Sequence, residues 1–336
     1  MLEPTAATAT AEKPPLVSER GGLDRNRVGQ IKIKTILVPL DFSRAAMQAF
    51  DYATALAKQL NAQIHLMHVQ MPDEACAVPG AGHLMRECAE SATFLHQKLG
   101  GLGAERPPRF WPEECHICTG RPYEEICALA RELNVDLVVL ASRGNTGLKR
   151  IVLGSTAERV VRFSPCPVLV VRKRKRKGRV DLELTSSGKE ISVRKILVPT
   201  DFSHCAIAGA MYAAFWARTF DAKLHLLNVV FPTAPVFLDR VSANLPADNT
   251  TGLANARLDI EAFSKLDFFE GLKCETEIRT GYATDQICGE HDVDLVVIST
   301  HGRTGLKHAL IGSVAEQVVR YAQCPVMVVP SRCPIS

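Results

Sequence analysis

"TILVPLDFS" (Thr35–Ser43) returns as "KILVPTDFS" (Lys195–Ser203), 160 residues further along the chain. Each copy opens on a short apolar run that suits a strand buried on both faces. A proline ends the run, and an aspartate then stands beside a serine placed to begin a helix. The repeat extends outward in the same order on both sides. "QIHLMHV" (Gln63–Val69) returns as "KLHLLNV" (Lys223–Val229), "VDLVVLASRG" (Val135–Gly144) as "VDLVVISTHG" (Val293–Gly302), and "CPVLVV" (Cys166–Val171) as "CPVMVV" (Cys324–Val329). The chain is a duplicated unit of roughly 140 residues, within the usual size of one domain.

Between the apolar runs lie helical patterns. Met47, Phe50, Ala53, Leu56 and Leu60 recur every three or four residues, and Asn61 is placed to stop that helix. "RPYEEICALARELN" (Arg121–Asn134) forms a second, with Pro122 near its start and Glu124 and Glu125 in the first turn, where the helix dipole favours them. Strand and helix in alternation imply right-handed crossovers and a parallel sheet. The expected fold is α/β: two tandem doubly wound, Rossmann-like domains, each an open five-stranded parallel sheet flanked by four helices. The expected divisions are a tail over 1–32, domains over 33–172 and 193–331, and a basic linker over 173–192.

Of a formal charge of +4, six positive charges fall in one run, Arg172–Lys177. The remainder is slightly acidic, which argues against nucleic acid as a partner; the run reads as a solvated linker, with a patch for nucleic acid or an acidic partner as its alternative. No apolar run is long enough to span a membrane, and the first residues lack the apolar core of an export signal. The expectation is a cytoplasmic protein. Its eleven cysteines, an odd number, then read as reduced thiols. Cys115 and Cys118 are spaced like metal ligands but fall in a strand, where residues three apart point to opposite faces. Cys166 and Cys324 read as core, and no metal site is expected.

In such sheets ligands collect beyond the carboxyl ends of the strands, where strand order reverses. "ASRGNTGLKRIVLGSTAERVV" (Ala141–Val161) and "STHGRTGLKHALIGSVAEQVV" (Ser299–Val319) begin at one of those ends. Backbone amides of a glycine-containing turn and of the following helix would cradle a phosphate. The same residues also fit a structural role, since Ser155 with Glu158, and Ser313 with Glu316, have the spacing of a capping box. Spacing alone leaves both readings open.

The glycine spacing, the "DFS" after the first strand, "HLMHV"/"HLLNV", and "TGRPYEEI"/"TGYATDQI" before the third helix together resemble the universal stress protein family. The resemblance runs from Lys34 to Val329 apart from the linker. It implies a fold like that of the adenine-nucleotide alpha hydrolases and binding of ATP, with or without Mg2+. The implied site residues of the first copy are Pro39, Asp41, Val69, Ala141, Arg143, Gly144, Gly147, Gly154, Ser155 and Thr156. Those of the second are Pro199, Asp201, Val229, Ser299, His301, Gly302, Gly305, Gly312, Ser313 and Val314. Ala141 and Ser299 replace the family's first glycine, and Ala283 replaces the proline of "TGRP". A carboxylate at Asp41 or Asp201 would repel a triphosphate but accept hydrogen bonds from a ribose or amine; it would otherwise cap the next helix.

No phosphate-loop lysine motif, conspicuous acidic pair for magnesium or positioned general base accompanies these residues. His116, His204 and His291 read as surface or packed side chains. The implied function is a nucleotide-dependent regulator in stress response, with at most slow ATP hydrolysis. The alternatives are a nucleotide-free scaffold, in which "VLVV" pairs with "VMVV" inside one chain or a homodimer forms, and an ATP-using enzyme.

Overall fold

The computed structural model describes residues 31–70, 114–143, 153–172, 182–185, 188–231, 249–302 and 311–331. In the first half β1 (Thr35–Pro39), α1 (Arg44–Leu60), β2 (Gln63–Gln70), β3 (Glu114–Thr119), α2 (Pro122–Glu132), β4 (Leu137–Ala141), α3 (Ser155–Phe163) and β5 (Val168–Val171) follow in order. A hairpin, β6 (Leu182–Thr185) and β7 (Gly188–Ile191), comes next. The second half repeats the plan with β8 (Lys195–Pro199), α4 (His204–Phe220), β9 (Lys223–Val230), α5 (Asn249–Ser264), β10 (Cys274–Thr280), α6 (Ala283–Cys288), β11 (Leu295–Ser299), α7 (Ser313–Tyr321) and β12 (Val326–Val329). The helix expected between β2 and β3 falls outside the described residues.

Local chemistry sets these boundaries. Ser43 and Ser203 accept the amides of Ala46 and Ala206 and so start α1 and α4. Asn61 and Asp221 close the same helices in the left-handed conformation that short polar side chains tolerate. Pro122 occupies the first turn of α2, where its missing N–H has no intrahelical partner to lose.

Within each half the five strands are parallel, in the order β3-β2-β1-β4-β5 and its repeat β10-β9-β8-β11-β12. The halves meet through their last strands. Val170 pairs antiparallel with Val326, Leu169 with Met327 and Val168 with Val328, which makes one ten-stranded sheet. Leu169 and Met327 are equivalent positions, so the pairing is symmetric about them, as the pairing of "VLVV" with "VMVV" requires. All eight residues of these two strands are buried. One core cluster covers the face carrying α1 and α4, and another the face carrying α2, α3, α6 and α7; each runs through both halves.

Two residues near the junction of the halves have structural work. Arg172, first of the basic run, donates to the carbonyls of Val319, Arg320 and Ala322 at the C-terminus of α7 in the other half. A cation there answers both the orphan carbonyls and the helix dipole. Ile191 of β7 is buried against α1 in the first-half core. Substituting Arg172→Gln is expected to lower the stability of the chain by about 2 kcal/mol, the scale of hydrogen bonds to a charged group. A urea titration reads this as a lower midpoint; an unchanged midpoint removes Arg172 from the contacts that hold the halves together.

The copies diverge where β2 meets β3. His65 stacks on His116, with Nδ1 and Nε2 3.2 Å apart and both rings buried. The equivalent His225 instead faces Glu277 at 2.8 Å, a carboxylate that Arg279 holds below its usual range. His225 Nδ1 is buried and has no hydrogen-bond partner among the described residues. Protonating it would strand an N–H donor, and burial pushes the imidazole below its ordinary pKa despite Glu277. The unfolded chain therefore takes up the proton first. Stability is expected to fall as pH drops through about 6.5, the unfolded histidine value, and a His225→Gln chain should show a shallower decline between pH 7.5 and 5.5. Parallel slopes for the two proteins would exclude His225 as a source.

Candidate functional site

Each half has a cavity at the carboxyl end of its sheet, beside the point where strand order reverses. In the first half, Pro39 and Asp41 after β1, Val69 on β2, Ala141 and Arg143 after β4, and Gly154, Ser155 and Thr156 at the start of α3 line a cavity of about 240 Å3. In the second, Pro199, Asp201, Val229, Ser299, His301, Gly302, Gly312, Ser313 and Val314 line one of about 320 Å3. Gly144, Gly147 and Gly305, with Lys149 and Lys307 of the same loops, lie outside the described residues.

The capping-box reading of the loop serines does not hold. Gly154 and Gly312 are the N-caps, neither helix has a side-chain cap, and Ser155 and Ser313 are the first helical residues, both exposed. Glu158 and Glu316 point elsewhere: Arg320 of α7 bridges Glu316 at 3.1 Å and reaches across to Glu158 of α3 at 3.2 Å. An N-cap glycine offers the first-turn amides no side-chain acceptor of its own, and the cavity opens on that turn. The turn is held from behind, because Gly154 N–H donates to the Ser142 carbonyl at 2.8 Å and Gly312 N–H to Thr300 at 2.7 Å. A Cβ on Gly312 would stand 3.2 Å from that same Thr300 oxygen.

The aspartates shape the opposite wall. Asp41 Oδ1 accepts the Ser43 amide, and Asp201 Oδ1 the Ser203 amide, each at 3.0 Å. They thus brace the turn before the helix, while the serines do the capping. Asp201 Oδ2 comes so close to Gly302 that a Cβ there would lie 2.5 Å away. Between aspartate and serine sit Phe42 and Phe202, with φ of 59° and 62°. A bulky residue rarely adopts this left-handed region. Their rings are held, Phe42 against His68 at 4.7 Å and Phe202 against Phe263 at 5.7 Å.

Two polar side chains, one on the second strand of each half, fix this turn. His68 Nδ1 meets the Leu40 carbonyl at 2.8 Å, and Asn228 at the equivalent place donates to the Thr200 carbonyl at 2.7 Å. The signal was present: both polar residues interrupt an apolar strand at the same repeat position. Also unread were the apolar linings Met67, Ile126 and Leu140, with their counterparts Leu227, Ile287 and Ile298. Ser299, in place of the family's glycine, turns its hydroxyl to the His301 carbonyl at 2.9 Å. Cys115 and Cys118 lie on opposite faces of β3, and Cys166 and Cys324 are buried.

Comparison with known proteins agrees with this duplicated architecture. The universal stress protein family matches residues 32–172 and again 192–330. Universal stress protein MJ0531 of Methanocaldococcus jannaschii is 33% identical over 158 residues, covering 45% of this chain and 88% of that protein. Universal stress protein Slr1230 of Synechocystis is 23% identical over 317 residues, covering 88% of this chain and 99% of its own. Among solved structures, a functionally unknown protein of Pseudomonas aeruginosa superposes with a TM-score of 0.61 at 20% identity, over 91% of this chain and 96% of that one. The chain belongs to the universal stress protein family and carries the family's domain twice.

Proposed function

We propose that this universal stress protein binds an adenine nucleotide, ATP in the first instance, in each half, and acts in stress response as a nucleotide-dependent regulator. The observation that carries this reading is the glycine at the N-cap of α3 and α7, whose first turn opens on a cavity with a braced aspartate on its far wall. Main-chain amides and the helix dipole would hold the phosphates. Asp41 or Asp201 would accept from the ribose or base, and Arg143 or His301 would stand beside the phosphates. Close approach of backbone to ligand fits a glycine at 312, where the Thr300 carbonyl already limits a side chain.

Bound ATP would supply a triphosphate whose occupancy or slow loss reports metabolic state. The chain's own residues bind and orient it. Among the described residues, one carboxylate lines each cavity, and its Oδ1 is engaged in the turn. Any Mg2+ would therefore be held chiefly by the phosphates, and hydrolysis would be slow at most. The reading places the protein in the cytoplasm. The scaffold alternative draws on the β5–β12 ladder, which uses the last strands within one chain, so a homodimer would have to form through another surface. Native mass spectrometry of the purified protein, followed by calorimetry with millimolar ATP, tests the reading. Bound adenine nucleotide, or two binding events on the emptied protein, is the expected result; a folded protein that gives neither refutes it.

A further inference from the structure

The two cavities differ at their apolar ends. In the second half Leu227 and Val229 line the cavity from one face of β9. Strand alternation carries that face on to Phe231. Phe231 meets Tyr282, ring centroids 5.3 Å apart and planes at 73°, and Tyr282 directly precedes the lining residue Ala283. Phe231 and Tyr282 are 57% and 65% exposed. Single apolar side chains on a surface call for no explanation, but two large adjoining aromatics, each next to or two residues from one that lines the cavity, do.

The first half is built differently at this point. Arg121 takes the place of Tyr282 and pairs with Glu124 at 3.3 Å, and the Tyr123 hydroxyl donates to the same carboxylate at 2.7 Å. Pro122 stands where the second half has Ala283. The residue matching Phe231 is Met71, outside the described residues.

We propose that Tyr282 and Phe231 form a stacking lip for a purine base, which makes the second-half cavity the tighter of the two for adenine nucleotides. The inference rests on the nucleotide reading above. With phosphates at the first turn of α7 and ribose beside Asp201, the base extends toward Leu227, Val229 and Ala283, and so toward the lip. Ala283 leaves room there that Pro122 fills in the other half, in keeping with the larger second cavity. An aromatic ring covers a base face without reading its hydrogen-bonding edge, so the lip adds affinity that inorganic phosphates cannot share.

The test uses the full chain and its Tyr282→Ala, Tyr282→Phe and Phe231→Ala variants, whose side chains are exposed enough that the fold does not depend on them. Each is titrated with ATP and with inorganic tripolyphosphate, and separately photolabelled with 8-azido-ATP and mapped by peptide mass spectrometry. Tyr282→Ala is expected to weaken the tighter ATP event about tenfold, with Tyr282→Phe close to wild type and tripolyphosphate binding unchanged within about twofold. The label should concentrate on second-half peptides carrying Phe231 or Tyr282. If Tyr282→Ala binds ATP as the wild type does, or the label favours the first half, the lip is overturned and nucleotide binding stands. If the wild type takes up neither ATP nor tripolyphosphate, both fall.

Discussion

Substituting Gly312→Val is expected to weaken ATP binding in the second half by roughly a hundredfold while leaving the fold in place. Gly312 has φ −59° and ψ 140°, which any residue adopts, so the backbone itself is not strained by a side chain. The difficulty is one of space. A Cβ would stand 3.2 Å from the Thr300 carbonyl oxygen, the acceptor that fixes the Gly312 amide at 2.7 Å. Relieving that contact moves the first turn by a few tenths of an ångström, and the valine methyls stand over the amides that would face a phosphate. Losing two charge-assisted hydrogen bonds at about 1.5 kcal/mol each amounts to about 3 kcal/mol, or roughly two orders of magnitude in affinity. Gly312→Ala should lose less, since it adds the Cβ alone. Calorimetry on Gly312→Val, Gly154→Val and the double variant, with circular dichroism as the fold check, reads the effect. A folded double variant that binds ATP as tightly as the wild type would mean that the helix starts do not hold the phosphates.

Much of this arrangement was legible because the chain states it twice. A repeat that keeps an apolar run, an aspartate and a Gly-Ser pair in register marks the strands and the location of the loops, and Asn61, Pro122, Ser43 and Ser203 mark helix ends by local chemistry. The role of Glu158 was misread because a serine three residues before a glutamate carries the capping signature whichever residue is the true cap. Each glutamate has an arginine four residues on, Arg162 and Arg320, as a competing partner, and the contact from Arg320 to Glu158, more than 160 residues away, is one that no local pattern records. The contacts of Arg172, first of a run read as solvated, were invisible for a like reason: its acceptors are carbonyls of the other half, which no local pattern records. The left-handed Phe42 and Phe202 ran against expectation, since propensity argues for glycine or asparagine there. Tertiary contacts from His68 and Phe263 override it.

At the end of the sheet away from both cavities, a second repeated aspartate ties strands together, and its removal tests stability separately from binding. Asp294 Oδ2 accepts two consecutive amides, Arg194 at 2.8 Å and Lys195 at 2.9 Å, joining the start of β11 to the start of β8. Asp136 does the same for Lys34 and Thr35 at 2.8 and 2.9 Å. The geometry is alike, but the surroundings are not: Asp294 is 5% exposed, whereas Asp136 is only half-buried and one of its two bonds lies at the surface. Substituting Asp294→Ala leaves two shielded amides without an acceptor and is expected to cost about 3 kcal/mol; Asp136→Ala, where water can replace the carboxylate, should cost about 1 kcal/mol. Asn at either position keeps one acceptor oxygen and should recover part of the loss. Urea unfolding of the four variants gives the order directly. ATP affinity should stay at the wild-type value in each, because the substituted end of the sheet is remote from both cavities. Equal losses at the two positions, or a larger one at Asp136, would show that burial does not set the strength of this tie, and the difference between the halves would then need another physical origin.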